Sequence, residues 1–132
     1  MRDALTRHNF FALLEGRSLF RDRKEYFMFL ASLSQKRSNC LAKAVGCVVA
    51  RGQEIRTITY NGTPFGQPNC FQGGCKACLD GLGGSPPKVC LCNHAVSNAV
   101  LKLGFSGCQE SEIFVTSFPC LMCANLIFAA VN

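Results

Sequence analysis

Apolar residues alternate between helical and strand spacing along this chain, and the pattern predicts the order of its elements. Within residues 23–37 they recur on one helical face, at Tyr26, Phe27, Leu30 and Leu33. Residues 44–50 form a short, almost wholly apolar run with several β-branched side chains, which is typical of a buried strand. We therefore expect the first helix to pack on a sheet.

The segment that follows predicts a β-hairpin. The sequence Arg51-Gly52-Gln53 suits a turn, and residues 54–60 alternate as a second strand does. The hairpin ends at a strong turn signal, Asn61-Gly62-Thr63-Pro64. We expect this turn to expose Asn61 beside the end of the strand.

A long glycine- and proline-rich loop is predicted as far as about residue 88. Helical spacing then returns, with Asn93 as the expected N-cap and Gly104 as the expected end. A third strand and a third helix are predicted at residues 112–116 and 120–131. The order helix, strand, strand, helix, strand, helix predicts an α/β fold, a three-layer α/β/α sandwich.

The composition limits the kinds of protein that this chain can be. The chain has 132 residues, of which 48% are apolar, enough for a single core. No apolar stretch approaches a membrane span, and the first twenty residues lack the features of a secretory signal. We expect a cytoplasmic location, with a nuclear one as the alternative, where the cysteines would act as metal thiolates rather than disulfides.

The net charge of +6 is concentrated in the first half of the chain. Residues 1–60 hold eleven of the 14 lysines and arginines. Such a basic half suits a phosphorylated ligand or nucleic acid, and it equally suits a solvated basic face. Nucleic acid is the weaker interpretation, because no run of stacking aromatic residues accompanies the charge.

The strongest chemical signal joins His94 to Pro119-Cys120-Leu121-Met122-Cys123. A histidine at a helix start and a Pro-Cys-x-x-Cys about 25 residues later supply three zinc ligands, and the fourth position stays open for water. The dipole of the last helix would stabilise thiolates on its first turn. A Pro-Cys-x-x-Cys alone would also suit a redox pair or buried thiols, but His94 favours a metal.

Residues 23–131 carry a series of ordered motifs that resembles the zinc-dependent deoxycytidylate (dCMP) deaminases of the cytidine deaminase superfamily. The motifs are Glu25-Tyr26-Phe27-Met28, Arg37-Ser38-Asn39-Cys40, Val45-Gly46, Tyr60-Asn61-Gly62-Thr63-Pro64, Asn69-Cys70, Gly73-Gly74-Cys75, Cys92-Asn93-His94-Ala95 and Phe114-Val115-Thr116-Ser117-Phe118-Pro119-Cys120-Leu121-Met122-Cys123. The resemblance implies a deaminase domain over residues 23–132, preceded by an arm, residues 1–22, to which we assign no role.

The resemblance also implies an activity and its residues. His94, Cys120 and Cys123 would hold the catalytic zinc, whose bound water attacks C4 of the cytosine ring and displaces ammonia, converting dCMP to dUMP. Asn61 matches an asparagine that contacts the nucleotide sugar. The implied class is a hydrolase of pyrimidine nucleotide metabolism.

Val96 departs from the family pattern, because the matching position in the family is a glutamate that moves protons between water, ring and leaving amine. Valine can neither accept nor donate a proton. General acid–base catalysis contributes about 10²–10⁴-fold per role. We therefore expect deamination to be impaired or lost while zinc binding is retained.

The end of the chain is a second departure, because the family sheet continues with further strands and a helix beyond the point that matches Asn132. The third strand would then be an open, apolar edge. We expect a partner chain to cover it, in a homo-oligomer or hetero-oligomer, unless the gene product is incomplete.

Six further cysteines predict a second, structural zinc that orders the glycine-rich loop. The resemblance favours the ligands Cys40, Cys70, Cys75 and Cys90, with Cys78 or Cys92 as alternates. Unligated thiols are the simpler interpretation.

Two functions therefore remain. One is an enzyme that deaminates dCMP through an unrecognised base. The other, which the chemistry at Val96 favours, is a catalytically silent zinc- and nucleotide-binding subunit or regulatory relative.

Overall fold

The computed structural model describes residues 22–81 and 90–132, so the predicted arm at residues 1–22 lies almost wholly outside the described residues. The elements, in chain order, are α1 (Arg23–Ser34), a 3₁₀ turn (Gln35–Arg37), β1 (Gly46–Arg51), β2 (Glu54–Tyr60), a second 3₁₀ turn (Cys70–Gln72), α2 (Lys76–Gly81), α3 (Ala95–Cys108), β3 (Glu112–Val115) and α4 (Leu121–Val131). The predicted order of the main elements is confirmed. The short helix α2 is an addition within the predicted loop.

Within residues 22–81 and 90–132 the sheet has three strands in the order β2-β1-β3, and β1 pairs antiparallel with both neighbours. Cys47 at the centre lies opposite Thr59 on one side and Val115 on the other. The hairpin predicted across Arg51-Gly52-Gln53 is confirmed. In the described residues β3 forms one edge of the sheet, as expected.

The side chains of β1 alternate between two cores, which makes the fold a three-layer α/β/α sandwich. Cys47 and Val49 point to one face and pack with residues of α3 and α4, namely Ala95, Val96, Ala99 and Cys123. Val48 and Ala50 point to the other face and pack with Phe27 and Ala31 of α1. The predicted fold class is confirmed.

Helix α1 buries a narrower face than the apolar pattern predicted. Phe27 and Ala31 are buried, and the Phe27 ring packs on Phe114 of β3 with ring centroids 5.4 Å apart. Tyr26 and Leu33, which the pattern places on the same face, are 40% and 56% exposed.

The cap of α3 is His94, not Asn93 as predicted. Asn93 exchanges two backbone hydrogen bonds with Gly62, of 2.8 and 3.2 Å, which bridge the helix entry to the end of the hairpin. Gly104 does interrupt the helix with φ 69° and ψ 167°, and one further helical stretch then runs to Cys108. None of the described helices is long and apolar enough to cross a bilayer.

Gly46, at the start of β1, packs against the C-terminal end of α1. A Cβ at this position would collide with the carbonyl oxygen of Ala31 and with Oγ of Ser34. Glycine therefore sets the distance between the helix and the sheet.

We predict that Gly46→Ala lowers the free energy of unfolding by about 1–3 kcal/mol, the usual cost of overpacking. Denaturant titration measures the change. Gly52→Asn is the control, because nothing lies within 4 Å of its Cβ position and asparagine tolerates its φ of +59°; its effect should stay within about 0.5 kcal/mol. Equal stability of Gly46→Ala and wild type would contradict the close packing.

Candidate metal centre and cavity

The starts of two neighbouring helices bring together the three predicted ligands. His94 is the N-cap of α3, and Cys120 is the N-cap of α4. The N–H of Cys123 points at Cys120 Sγ at 3.5 Å, which places both sulfurs at the first turn of α4. Because α3 and α4 pack side by side on the same face of the sheet, the imidazole meets both thiols.

The geometry of these three residues fits a zinc ion. His94 Nδ1 lies 3.3 Å from Cys123 Sγ and 3.4 Å from Cys120 Sγ. Tetrahedral zinc with Zn–N of about 2.0 Å and Zn–S of about 2.3 Å requires N···S separations of about 3.5 Å. The imidazole nitrogen that faces the two sulfurs is Nδ1. The three candidate donor atoms are therefore one nitrogen and two sulfurs.

The two thiols differ in their electrostatic environment. The N–H of Cys123 lowers the pKa of the exposed Cys120 thiol. Burial raises the pKa of Cys123 to about 11, although hydrogen bonds from the hydroxyl and N–H of Ser97 oppose this effect. A bound dication would supply the positive charge that holds both sulfurs as thiolates. Sequence reasoning did not assign Ser97 to this site, and no motif marks it.

A cavity of about 250 Å³ opens beside the three ligands. Its remaining wall includes Lys43, Val45, Asn61, Val96, Val115, Ser117 and Phe118. Lys43 Nζ donates to Ser117 Oγ at 2.6 Å, which places a positive charge and a hydroxyl together at the cavity. Neither residue was singled out from the sequence, because a lone lysine in a loop carries no motif.

Val96 belongs to the wall of this cavity and is almost fully buried, in one apolar cluster with Ala95 and Cys123. No carboxylate is found among the described residues that line the cavity. Glu112, the acidic residue of β3, instead pairs with Arg23 and Lys24 of α1 at 2.6 and 3.7 Å. The cavity is therefore lined by the three candidate metal ligands and by the hydrocarbon side chain of Val96.

Asn61 lines the cavity but is buried at 6% exposure, so the expectation that the turn exposes it was wrong. Its carboxamide oxygen accepts from the N–H of Val45 at 2.8 Å and from Ser38 Oγ at 2.6 Å. Its amide nitrogen donates to the carbonyl of Lys43 at 2.6 Å. The turn folds beneath the segment that leads into β1, and these bonds fix the orientation of Asn61 at the cavity.

The six remaining predicted cysteines lie together, but in a different grouping from the one favoured by resemblance. The sulfurs of Cys40, Cys78, Cys90 and Cys92 lie within 4.8 Å of one another, and so do those of Cys70, Cys75, Cys78 and Cys92. The favoured set of Cys40, Cys70, Cys75 and Cys90 is thus divided between two groups. The two alternates, Cys78 and Cys92, belong to both.

The other two cysteines are packing residues. Cys47 in β1 and Cys108 at the end of α3 are fully buried in apolar clusters. Burial raises the pKa of Cys47 to about 12. Both stay outside the candidate metal groups, and none of the ten cysteines forms a disulfide.

The sequence matches a family model described as "Cytidine and deoxycytidylate deaminase zinc-binding region" over residues 21–131. The deoxycytidylate deaminase of Schizosaccharomyces pombe is 44% identical over 101 residues, which cover 75% of this chain and 31% of that protein. The deoxycytidylate deaminase of Mycobacterium phage D29 is 34% identical over 118 residues, which cover 83% of this chain and 88% of that protein. This chain thus spans about a third of the yeast relative and most of the phage relative.

A crystal structure of dCMP deaminase from the cyanophage S-TIM5, in complex with dCMP and dUMP, has the same fold. It matches with a TM-score of 0.65 and 34% identity, over 83% of this chain and 76% of that chain. The apo form of the same enzyme matches with a TM-score of 0.62. Together with the pairing of His94 and the two cysteines of α4, these matches establish that the chain belongs to the cytidine and deoxycytidylate deaminase family.

Proposed function

We propose that this protein is a dCMP deaminase-like zinc protein that binds a pyrimidine deoxynucleotide such as dCMP but has lost most or all of its hydrolytic activity. The observation that carries the proposal is Val96, which stands in the cavity wall two residues after the metal ligand His94. The family glutamate expected at that position is the proton carrier of the reaction.

Hydrolytic deamination needs proton transfers that a hydrocarbon side chain cannot make. Water adds to C4 of cytosine, a proton reaches the ring nitrogen, and the amine leaves as ammonia after gaining another proton. Zinc, when held by His94, Cys120 and Cys123, supplies an activated water. A side chain at position 96 would have to accept the proton of that water and deliver it to the ring.

The described cavity residues offer no substitute carrier. Lys43 is engaged by Ser117, and its ammonium is a donor rather than a base. His94 and the cysteines serve as metal ligands. Because one missing group serves several steps, the loss in turnover should reach at least the upper end of the range of about 10²–10⁴-fold.

Nucleotide binding does not depend on the missing carboxylate. Lys43 places positive charge at the cavity, which suits a phosphate, and Asn61 offers a fixed amide to a sugar hydroxyl. The dCMP and dUMP bound to the cyanophage relative support this class of ligand. The alternative role, a silent subunit that contributes a nucleotide site to an assembly, follows from the same features.

Assembly with other chains is part of this proposal. The exposed apolar side chains of Phe118, Leu121 and Met122 support it. Light scattering on a size-exclusion column gives the mass directly. A monomer across the micromolar range would exclude self-association and leave a hetero-oligomer, which co-purification with an active deaminase would reveal.

We predict that Val96→Glu raises dCMP turnover by at least about 100-fold over wild type, because a carboxylate at this position restores general acid–base catalysis. Release of ammonia and formation of dUMP measure turnover. Val96→Gln is the matched control, since glutamine has nearly the same shape as glutamate but carries no titratable proton; it should stay at the wild-type level.

Two results would contradict the proposal of lost activity. Wild-type turnover well above that of His94→Ala would show that another group carries the proton. Equal gains in Val96→Glu and Val96→Gln would show that polarity, not proton transfer, was missing. Calorimetric titration of the wild type with dCMP tests binding separately, and saturable heat is expected even without turnover.

We predict that His94→Ala lowers the zinc content by about one ion per chain, because two sulfurs on one helical turn hold zinc less tightly than three ligands do. Elemental analysis after dialysis against a weak chelator measures the change. Cys108→Ala is the control, since this buried thiol lies outside the candidate metal groups, and it should leave the zinc content unchanged. An unchanged content in His94→Ala would argue against the three-ligand site.

A further inference from the structure

Six of the ten cysteines form one sulfur cluster apart from the His94 centre. Cys70, Cys75, Cys78 and Cys92 are buried together, and Cys40 packs against them. Cys90 reaches the same cluster through Cys78, with the two sulfurs 3.2 Å apart. A single tetrahedral ion uses only four thiolates. The cluster therefore holds two sulfurs more than one structural zinc needs.

The two groups of four sulfurs have a definite relation to each other. Cys40 and Cys90 occur only in the first group, Cys70 and Cys75 occur only in the second, and Cys78 and Cys92 occur in both. A tetrahedral zinc with Zn–S of about 2.3 Å places its sulfurs about 3.8 Å apart. Each group is compact enough to close on one ion, and Cys78 and Cys92 belong to both groups. The sulfurs of Cys75 and Cys90, one from each group, also lie 4.0 Å apart, so the six sulfurs form one continuous cluster.

We propose that the cluster binds two zinc ions, each tetrahedral, with the thiolates of Cys78 and Cys92 bridging them. Cys40 and Cys90 complete the first ion, and Cys70 and Cys75 complete the second. This arrangement uses all six sulfurs and leaves each ion with four ligands, as in a closed structural site.

The net charge of the cluster does not oppose a second ion. Six thiolates with two dications carry the same net charge as four thiolates with one dication, so the second ion adds no net charge to a buried site. It releases protons from two thiols that lie in contact with the other sulfurs. The N–H of Leu91 donates to Cys75 Sγ at 3.3 Å and stabilises a thiolate there.

The cluster also connects separate segments of the chain. Its sulfurs come from three segments: Cys40 from the exit of α1, three from the loop that contains α2, and two from the approach to α3. The bridging residue Cys92 lies two positions before His94, and Cys40, Cys90 and Cys92 line the same cavity. Two ions with shared thiolates thus connect the loop to the catalytic-type metal ligand.

Native mass spectrometry of the full chain, purified with zinc, counts the ions. We expect about three zinc ions per chain in the wild type and about two in His94→Ala, which removes the other site. About two in the wild type and one in His94→Ala would overturn the proposal, because the cluster would then hold a single ion.

Paired variants in the His94→Ala background test the sharing of ligands. Cys40→Ser/Cys90→Ser should keep about one ion on the second group, and Cys70→Ser/Cys75→Ser should keep about one on the first. If one double variant lost all cluster zinc while the other kept as much as the His94→Ala protein, the bridged arrangement would be overturned. Cys108→Ser in the same background is the control for loss of a buried thiol and should keep both cluster ions.

The cysteine variants could misfold, so a second measurement uses the protein without substitutions in the cluster. Protein loaded with ¹¹³Cd in place of zinc should give two cluster signals with a mutual ¹¹³Cd–¹¹³Cd splitting, because the coupling passes through a bridging sulfur. One cluster signal, or two signals without splitting, would overturn the bridge. The result is independent of any activity on nucleotides.

Discussion

The imidazole of His94 meets the sulfurs of Cys120 and Cys123 because two helices begin side by side over the central strand. That convergence depends on β1, whose side chains are buried on both faces and hold α1 on one side and α3 and α4 on the other. Gly46 lets α1 approach closely. The position of the three metal ligands is thus a consequence of how the core packs.

The three candidate metal ligands and Val96 occupy different positions at the helix starts. His94 and Cys120 are helix caps and Cys123 lies on the first turn, whereas Val96 is the second residue of α3. The Val96 side chain belongs to an apolar cluster with Ala95 and Cys123. The arrangement of the three candidate ligands therefore does not require a polar side chain at position 96.

The loop between the hairpin and α3 is rich in glycine. Its described cysteines lie against Cys40 at the exit of α1 and Cys92 at the entry of α3. Cys40, Cys90 and Cys92 also line the cavity beside His94. The sulfur cluster and the cavity therefore share residues of one segment of the chain.

The sequence by itself determined the α/β class and the order of the main elements, and it predicted that His94, Cys120 and Cys123 act together, because periodicity and short spacings are local properties. Through resemblance it also predicted that Val96 occupies the position of a family carboxylate. Tertiary structure decided that Asn61 is buried, that Tyr26 and Leu33 stay exposed, and that Lys43 and Ser117 meet at the cavity. It also divided six cysteines into two overlapping groups. These outcomes depend on distances between segments far apart in the chain, which spacing along the sequence does not contain.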